Sequence, residues 1–345
     1  MPEAQPAPGR APARASWLLV ALKFTLAVVL IGAMVQLKML NLGTLAMIGS
    51  KPWHLAFAAM LLLTGLLLTI IRWRALLAVQ GIDLGGLDAI RLGFIGFFFS
   101  CVIPGAVSGD AVKAYYVARE HGKTTGAIAS VLLDRFIGLY TMAVAASFGI
   151  AICWHTGSFP DAWAKPGIVV AAWLVIGLAV GMSAFFLIML SHVTRDYRLL
   201  DGILKRLPFR EQLTKLHDAV YRCRDHRAAL LSVIMLSFAA QVPMVLFNLV
   251  IGRALGDGGL SLAMYFFLAS VGLVVNSIPV LPGGLGTGEL GYAMLFRAFG
   301  SPVGAEIIAI WHVLFFAWSM PGLLFYVVRR RAAGAARIGT GVLSK

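Results

Sequence analysis

Six polar residues stand in parts of the chain that are otherwise apolar: Asp110, Asp134, Arg135, Asn276, Glu289 and His312. Acids and bases in such surroundings can neutralise one another or hold a cation. Through a guanidinium they can also grip a phosphate in a two-pronged hydrogen bond. Glu289 lies in the stretch LPGGLGTGELG, residues 281–291, where Gly286, Gly288 and Gly291 fit the G-x-G-x-x-G pattern of dinucleotide-binding loops. Glu306 follows at about the 20-residue distance at which that fold places its ribose-binding acid. The choice between nucleotide and other ligands depends on the elements that carry these residues.

Those elements are apolar helices. The chain has 345 residues, of which 60% are hydrophobic and 13% charged, and its mean hydropathy is +0.87. Soluble domains average about 25% charged residues. Uncharged runs at 55–71, 167–191, 228–252 and 307–328 are near the roughly 20 residues that cross a bilayer core. Trp53 and Trp73 flank the first of them and read as interfacial anchors. The net charge of +14 sits in short segments between these runs, which makes it a topology signal and not a nucleic-acid footprint. Cys101, Cys153 and Cys223 are isolated, and no H-x-x-x-H occurs, so neither a disulfide framework nor a metal or other cofactor is expected.

Read by the distribution of Lys and Arg, residues 1–15 form a disordered cytoplasmic tail. Helices over about 16–36 and 55–71 follow, with Arg72 and Arg74 marking the inner end of the second. Residues 92–109 carry no charge, yet basic residues flank them on both sides, and Pro104-Gly105 interrupts them. The reading is a re-entrant hairpin: one half-helix enters, breaks at Pro104, and a second returns from Gly109. Helices over about 125–154, 167–191 and 228–252 follow in turn. Between the last two, 192–227 is polar and basic, with leucines at helical spacing. It reads as an amphipathic cytoplasmic segment or as a plain solvated loop. Residues 260–300 must begin and end on the same side, either as two full spans or as a descent, a break and a return. The last helix ends at Arg329-Arg330-Arg331 on the inside, and 332–345 is a cytoplasmic tail.

The two breaks repeat each other. VIPGAVSGDAVKAYYVAREHG (102–122) and VLPGGLGTGELGYAMLFRAFG (280–300) share Pro-Gly, a small-residue bend and Gly followed by an acid. The matching positions are Pro104, Gly105, Gly109 and Asp110 against Pro282, Gly283, Gly288 and Glu289, with Gly284 and Gly286 adding to the second bend. Arg119 and Gly122 find counterparts in Arg297 and Gly300. One hairpin opens inward and the other outward, the pattern of an inverted repeat with cores at about 89–154 and 260–328. The fold class is therefore an all-α polytopic membrane protein with about seven spanning helices and two re-entrant hairpins, in a single membrane domain over 16–331. A dinucleotide fingerprint needs βαβ alternation around it, which this chain does not offer.

Intramembrane ionisable residues are costly to bury unless they are paired or hydrated, so they are candidates for function. Asp110 and Glu289 each open a half-helix, after Ser108 and Thr287 as N-caps. They read as plain capping acids, or as a pair that meets at the midplane to hold a cation or a basic residue. Asp134 and Arg135 lie about nine residues into their helix, ~13 Å deep. As sequence neighbours they do not face each other, so each needs another partner. Arg135 holds Asp110 or Glu289, or receives a lipid phosphate. His312 falls near the matching depth in the second half, as a packing residue or a site residue. Asn276 and Ser277 precede the second break and could line the same cavity. Arg297 and Glu306 read as interfacial.

With these motifs laid out, the chain resembles the flippase-like family. This is the transmembrane region of lysylphosphatidylglycerol synthase, with its stand-alone bacterial relatives of uncharacterised or hopanoid-associated type. The resemblance covers about 16–331. It implies a protein of the bacterial cytoplasmic membrane that moves an anionic phospholipid or a polyprenyl- or hopanoid-type lipid between leaflets; the basic residues at either end place both termini in the cytoplasm. Two departures are evident. The soluble aminoacyl-transferase domain of the full-length synthases is absent from the sequence, so lysine transfer is not expected, and His312 stands where many relatives carry an Arg. The rival readings are a non-catalytic partner of a lipid-modifying enzyme and a membrane-embedded lipid transferase. The sequence favours a non-enzyme without a cofactor or nucleic acid, and it leaves the oligomeric state open.

Overall fold

The computed structural model describes residues 36, 42–103, 108–157, 164–190, 227–276 and 287–342. They form ten helices in chain order: α1 Leu42–Gly49, α2 Pro52–Val79, α3 Gly86–Val102, α4 Ser108–His121, α5 Thr124–His155, α6 Pro166–Leu190, α7 Arg227–Ala254, α8 Leu262–Asn276, α9 Thr287–Ala298 and α10 Gly304–Val342. α10 runs on through most of the expected C-terminal tail, to Val342. The expected helix over 16–36 and the N-terminal tail lie wholly or mostly outside the described residues. So do nearly all of 192–227 and, among the break positions, Pro104, Gly105, Pro282, Gly283, Gly284 and Gly286.

Among the described residues, five helices are long and apolar enough to cross a bilayer: α2, α5, α6, α7 and α10. They correspond to the five helices expected as spans in this part of the chain, four of them uncharged runs and the fifth, 125–154, carrying Asp134 and Arg135. α2 extends two turns beyond the expected end at 71, because Trp73, Leu76 and Leu77 continue its buried face. Trp53 is 84% exposed, as an interfacial anchor should be, whereas Trp73 is 1% exposed and belongs to the core. Pro52 and Pro166 stand at helix starts, where a missing N–H costs nothing.

The region 260–300 is a descent and a return. α8 has 15 residues and α9 has 12, about 22 Å and about 18 Å of helix, each short of the roughly 30 Å of hydrocarbon. α3 and α4 make the matching pair in the first half, with 17 and 14 residues. The second half-helix ends alike in both: Gly122 and Gly300 adopt φ of +68° and +82°, a left-handed stop that glycine takes without steric cost.

The two halves interlock. α2 packs along α7; α3 of the first hairpin packs against α10 of the second half, and α8 of the second hairpin against α5 of the first. Each exchange runs over a glycine. A Cβ on Gly149 of α5 would lie 2.7 Å from the Phe267 amide nitrogen of α8, and one on Gly322 of α10 would lie 2.1 Å from the Phe94 carbonyl oxygen of α3. Bare glycine surfaces let helix backbones approach closely where lipid supplies no hydrophobic drive between helices. α2 and α7 run antiparallel: Lys51, just before α2, bonds the Ala254 carbonyl at the end of α7, and Arg72, late in α2, bonds Ser237, early in α7. The largest apolar cluster, which includes Leu62, Phe247, Phe267, Tyr292, Phe296 and Ile307, fills the space between the halves. Trp173, Leu174 and Leu187 on α6 and Leu324 on α10 point outward, where lipid would meet them.

Candidate functional site

The first hairpin is closed by contacts between its own half-helices. The Ser108 hydroxyl donates to the carbonyls of Ile103 at 2.9 Å and Phe99 at 3.3 Å, bonding the start of α4 to the end of α3. A Cβ on Gly109 would lie 2.0 Å from the Gly96 carbonyl oxygen, so only glycine fits between the two. This crossing directs Asp110 inward, where it is 5% exposed.

Asp110 is gripped from two sides. Lys113 Nζ, one turn along α4, lies 2.7 Å from Oδ1, and Arg135 Nε on α5 lies 2.5 Å from Oδ2. Lys113 also sits over the Trp73 ring, 4.9 Å from its centroid, so an aromatic face of α2 shields the ammonium. The neighbouring Asp134 turns the other way. It accepts from Arg72 Nε of α2 at 2.8 Å, while Arg72 donates onward to the Ser237 hydroxyl of α7 at 3.3 Å. Arg72 is therefore a buried ion-pair residue, 7% exposed, and does not mark a helix end at the surface. Asp110 is thus shared by two cations, Lys113 and Arg135, while Asp134 pairs with Arg72. The Lys113 and Arg72 side chains are 9% and 8% exposed, whereas that of Arg135 is 49% exposed. Arg135 is the member of the cluster that an incoming anion can reach.

The second hairpin is built to the same plan with different chemistry. Glu289 opens α9 as Asp110 opens α4, and its Oε1 lies 2.9 Å from Nδ1 of His312 on α10. Both are buried, at 2% and 9% exposure. Asn276, the last residue of α8, borders the same place: a Cβ on Gly288 would lie 2.2 Å from its Oδ1 and 3.3 Å from His312 Cε1. Tyr292 of α9 packs over Gly272 of α8 where, in the first hairpin, Lys113 packs over Gly96. An ammonium in one half is thus replaced by a phenol in the other, stacked on Phe296. Glu306 is 3% exposed and lies within the protein, contrary to its expected interfacial place; Arg297 is exposed.

The structure thus brings Asp110 and Arg135 together, turns Asp134 away to Arg72, and brings Asn276, Glu289 and His312 together. Lys113 and Arg72 are the charged members that sequence reasoning left out. Lys113 was legible: it is three residues from Asp110 on one helix, a spacing at which side chains meet. Arg72 and Asp134 lie 62 residues apart, and nothing local links them. Among the described residues no group of three or more His, Cys, Asp or Glu could hold a metal.

Comparison with known proteins agrees with this architecture. A UPF0104 membrane protein of Pyrococcus horikoshii is 23% identical over 245 residues, covering 67% of this chain and 72% of that protein. No solved structure matches. The family model for the lysylphosphatidylglycerol synthase TM region matches residues 18–336. A multi-pass helical chain that this model covers nearly end to end, with buried charge clusters at both helix breaks, is a membrane protein of lipid-related type: it belongs to the lysylphosphatidylglycerol synthase TM region family.

Proposed function

We propose that the protein moves an anionic lipid, or a lipid-linked anionic headgroup, between the leaflets of the bacterial cytoplasmic membrane. The observation that carries this reading is the guanidinium of Arg135, held on the buried Asp110 yet half-exposed. A guanidinium is planar, and its fork of donors suits a phosphate. Asp110 positions that guanidinium, and Lys113 shares the Asp110 carboxylate with it. The half-helix start at Ser108 adds its dipole. The interlocked halves, with cores at about 89–154 and 260–328 in one membrane domain over 16–331, rock against each other to alternate access. Both termini are placed in the cytoplasm, as the basic residues at either end favour.

The test is the leaflet-resolved lipid composition of cells lacking the gene. An anionic lipid should change its inner-to-outer ratio while its total amount stays constant, and the wild-type gene, but not an Arg135→Ala copy, should restore it. A changed total with an unchanged ratio would point instead to an enzyme.

A further inference from the structure

The two half-sites differ in the one property that responds to physiological pH. The first is an acid between a lysine and an arginine, residue types whose ordinary pKa values lie well above pH 8. The second pairs an acid with histidine, whose ordinary pKa of about 6.5 lies in that range. A further feature marks the second half-site. Asn276 is 8% exposed, and its buried Oδ1 has no hydrogen-bond partner among the described residues. A buried acceptor without a donor is uncommon and calls for an explanation. This one borders the same Gly288 backbone as the His312 ring.

Among the described residues, the helices packed against the pair bring few charges near it. From α9 the titratable side chains are Glu289, Tyr292 and Arg297, and Arg297 is exposed beyond the far turn. Near His312, α10 carries Glu306, nearly two turns earlier, and α8 contributes only Tyr265 and no charge. α3 has no charge between Arg91 and its end, where Cys101 is bonded to Ser319. α2 has none between His54 and Arg72, α7 none between Arg227 and Arg253, and α1 none at all. Hard metal cations take six or more oxygen ligands, whereas the described residues offer the oxygens of Glu289 and Asn276 beside an imidazole.

We propose that the Glu289–His312 pair, with the Asn276 oxygen beside it, is a proton-binding site whose occupancy is coupled to lipid movement by the other half-site. The proton comes from water on one side of the membrane and adds to the imidazole. The pair then passes from neutral histidine with carboxylate, net charge −1, to imidazolium with carboxylate, net charge zero. Release on the opposite side restores the first form. The coupling half of this statement rests on the translocation reading above; the proton site does not.

Trp311 offers a local reporter, since its ring lies edge-on to His312 at 5.2 Å. Full-length protein in detergent is titrated from about pH 8.5 to about pH 5 and its tryptophan emission followed. Acidification should quench the emission with one midpoint. That change should vanish in Trp311→Phe and in His312→Gln. The same midpoint in His312→Gln would overturn the proposal, as would a response to sodium at fixed pH in place of a response to pH. Coupling is read in proteoliposomes from the initial rate at which acyl-labelled fluorescent phosphatidylglycerol reaches the outer leaflet, with and without an imposed pH gradient. The wild-type rate should change several-fold with the gradient, and the His312→Arg rate should not respond. Equal wild-type rates under both conditions would overturn the coupling. A wild-type protein that moves no lipid would overturn the translocation reading, while the fluorescence titration would still decide the proton site.

Discussion

Arg135 Nε donates to Asp110 Oδ2 across 2.5 Å, joining the long span α5 to the second half-helix of the first break. Its sequence neighbour Asp134 reaches instead to Arg72 on α2. Two consecutive residues of one helix thereby tie three helices together. The outer member of the resulting chain of charges is the half-exposed guanidinium. Each consequence below can be measured separately.

The Arg72–Asp134 pair is buried, and its removal on one side should cost more than removal of both. Asp134→Ala leaves an uncompensated guanidinium inside the protein, a change of roughly 3–5 kcal/mol. Replacing Arg72 by Met and Asp134 by Leu together removes both charges and should recover most of that loss. Thermal unfolding in detergent, followed by size-exclusion chromatography, reads the difference. Equal destabilisation by the single and double variants would contradict the assignment of this pair as mutually neutralising.

The glycine crossings should be intolerant of any side chain. Gly322→Ala places a methyl 2.1 Å from the Phe94 carbonyl oxygen, an overpacking expected to cost about 1–3 kcal/mol. Gly177→Ala on α6 meets nothing within 4 Å and should be neutral or slightly stabilising, since alanine is the better helix former. Similar losses for both variants would show that the close approach of α10 to α3 does not matter.

Lys113 shares Asp110 with Arg135, so Lys113→Met should draw the guanidinium toward the acid. A hydrogen bond to a charged group is worth about 1.5–3 kcal/mol. Transport of an anionic lipid should accordingly fall by roughly ten- to hundred-fold, since about 1.4 kcal/mol is a factor of ten. The measurement is the initial rate in proteoliposomes, normalised to folded protein. An unchanged rate would remove Lys113 from the site.

The hairpins should enter from opposite faces and return to them. In a background without Cys101, Cys153 and Cys223, single cysteines at Gly85 and Lys123 flank the first hairpin, and those at Gly259 and Pro302 flank the second. A membrane-impermeant maleimide should label the first two from one side and the last two from the other. Labelling of either pair from two different sides would turn that hairpin into a full span and break the internal symmetry.

Much of this arrangement was legible because it is written in local patterns. Uncharged runs mark the spans. The shared Pro-Gly and Gly-acid motifs mark the hairpins, and Gly122 and Gly300 mark their ends. Charge balance alone left 260–300 as either two spans or a broken return, and the short lengths of α8 and α9 decide between them. The partners of Asp134 and Glu289 were not legible, because they come from helices 62 and 23 positions away. Arg72 and Trp73 were read as boundary markers because a residue at the end of an apolar run looks interfacial. They are interior because α2 continues past the run and packs against the hairpin.

The central claim is that Arg135 selects and carries a negatively charged headgroup. It is tested most directly by comparing translocation of acyl-labelled phosphatidylglycerol with that of phosphatidylcholine carrying the same label, in proteoliposomes of wild type, Arg135→Lys and Arg135→Ala. The account predicts that wild type moves phosphatidylglycerol faster than phosphatidylcholine. It predicts that Arg135→Lys keeps part of this preference, as a point charge without the planar fork, and that Arg135→Ala loses it. An Arg135→Ala protein that is folded and still moves phosphatidylglycerol at the wild-type rate and preference would contradict the account.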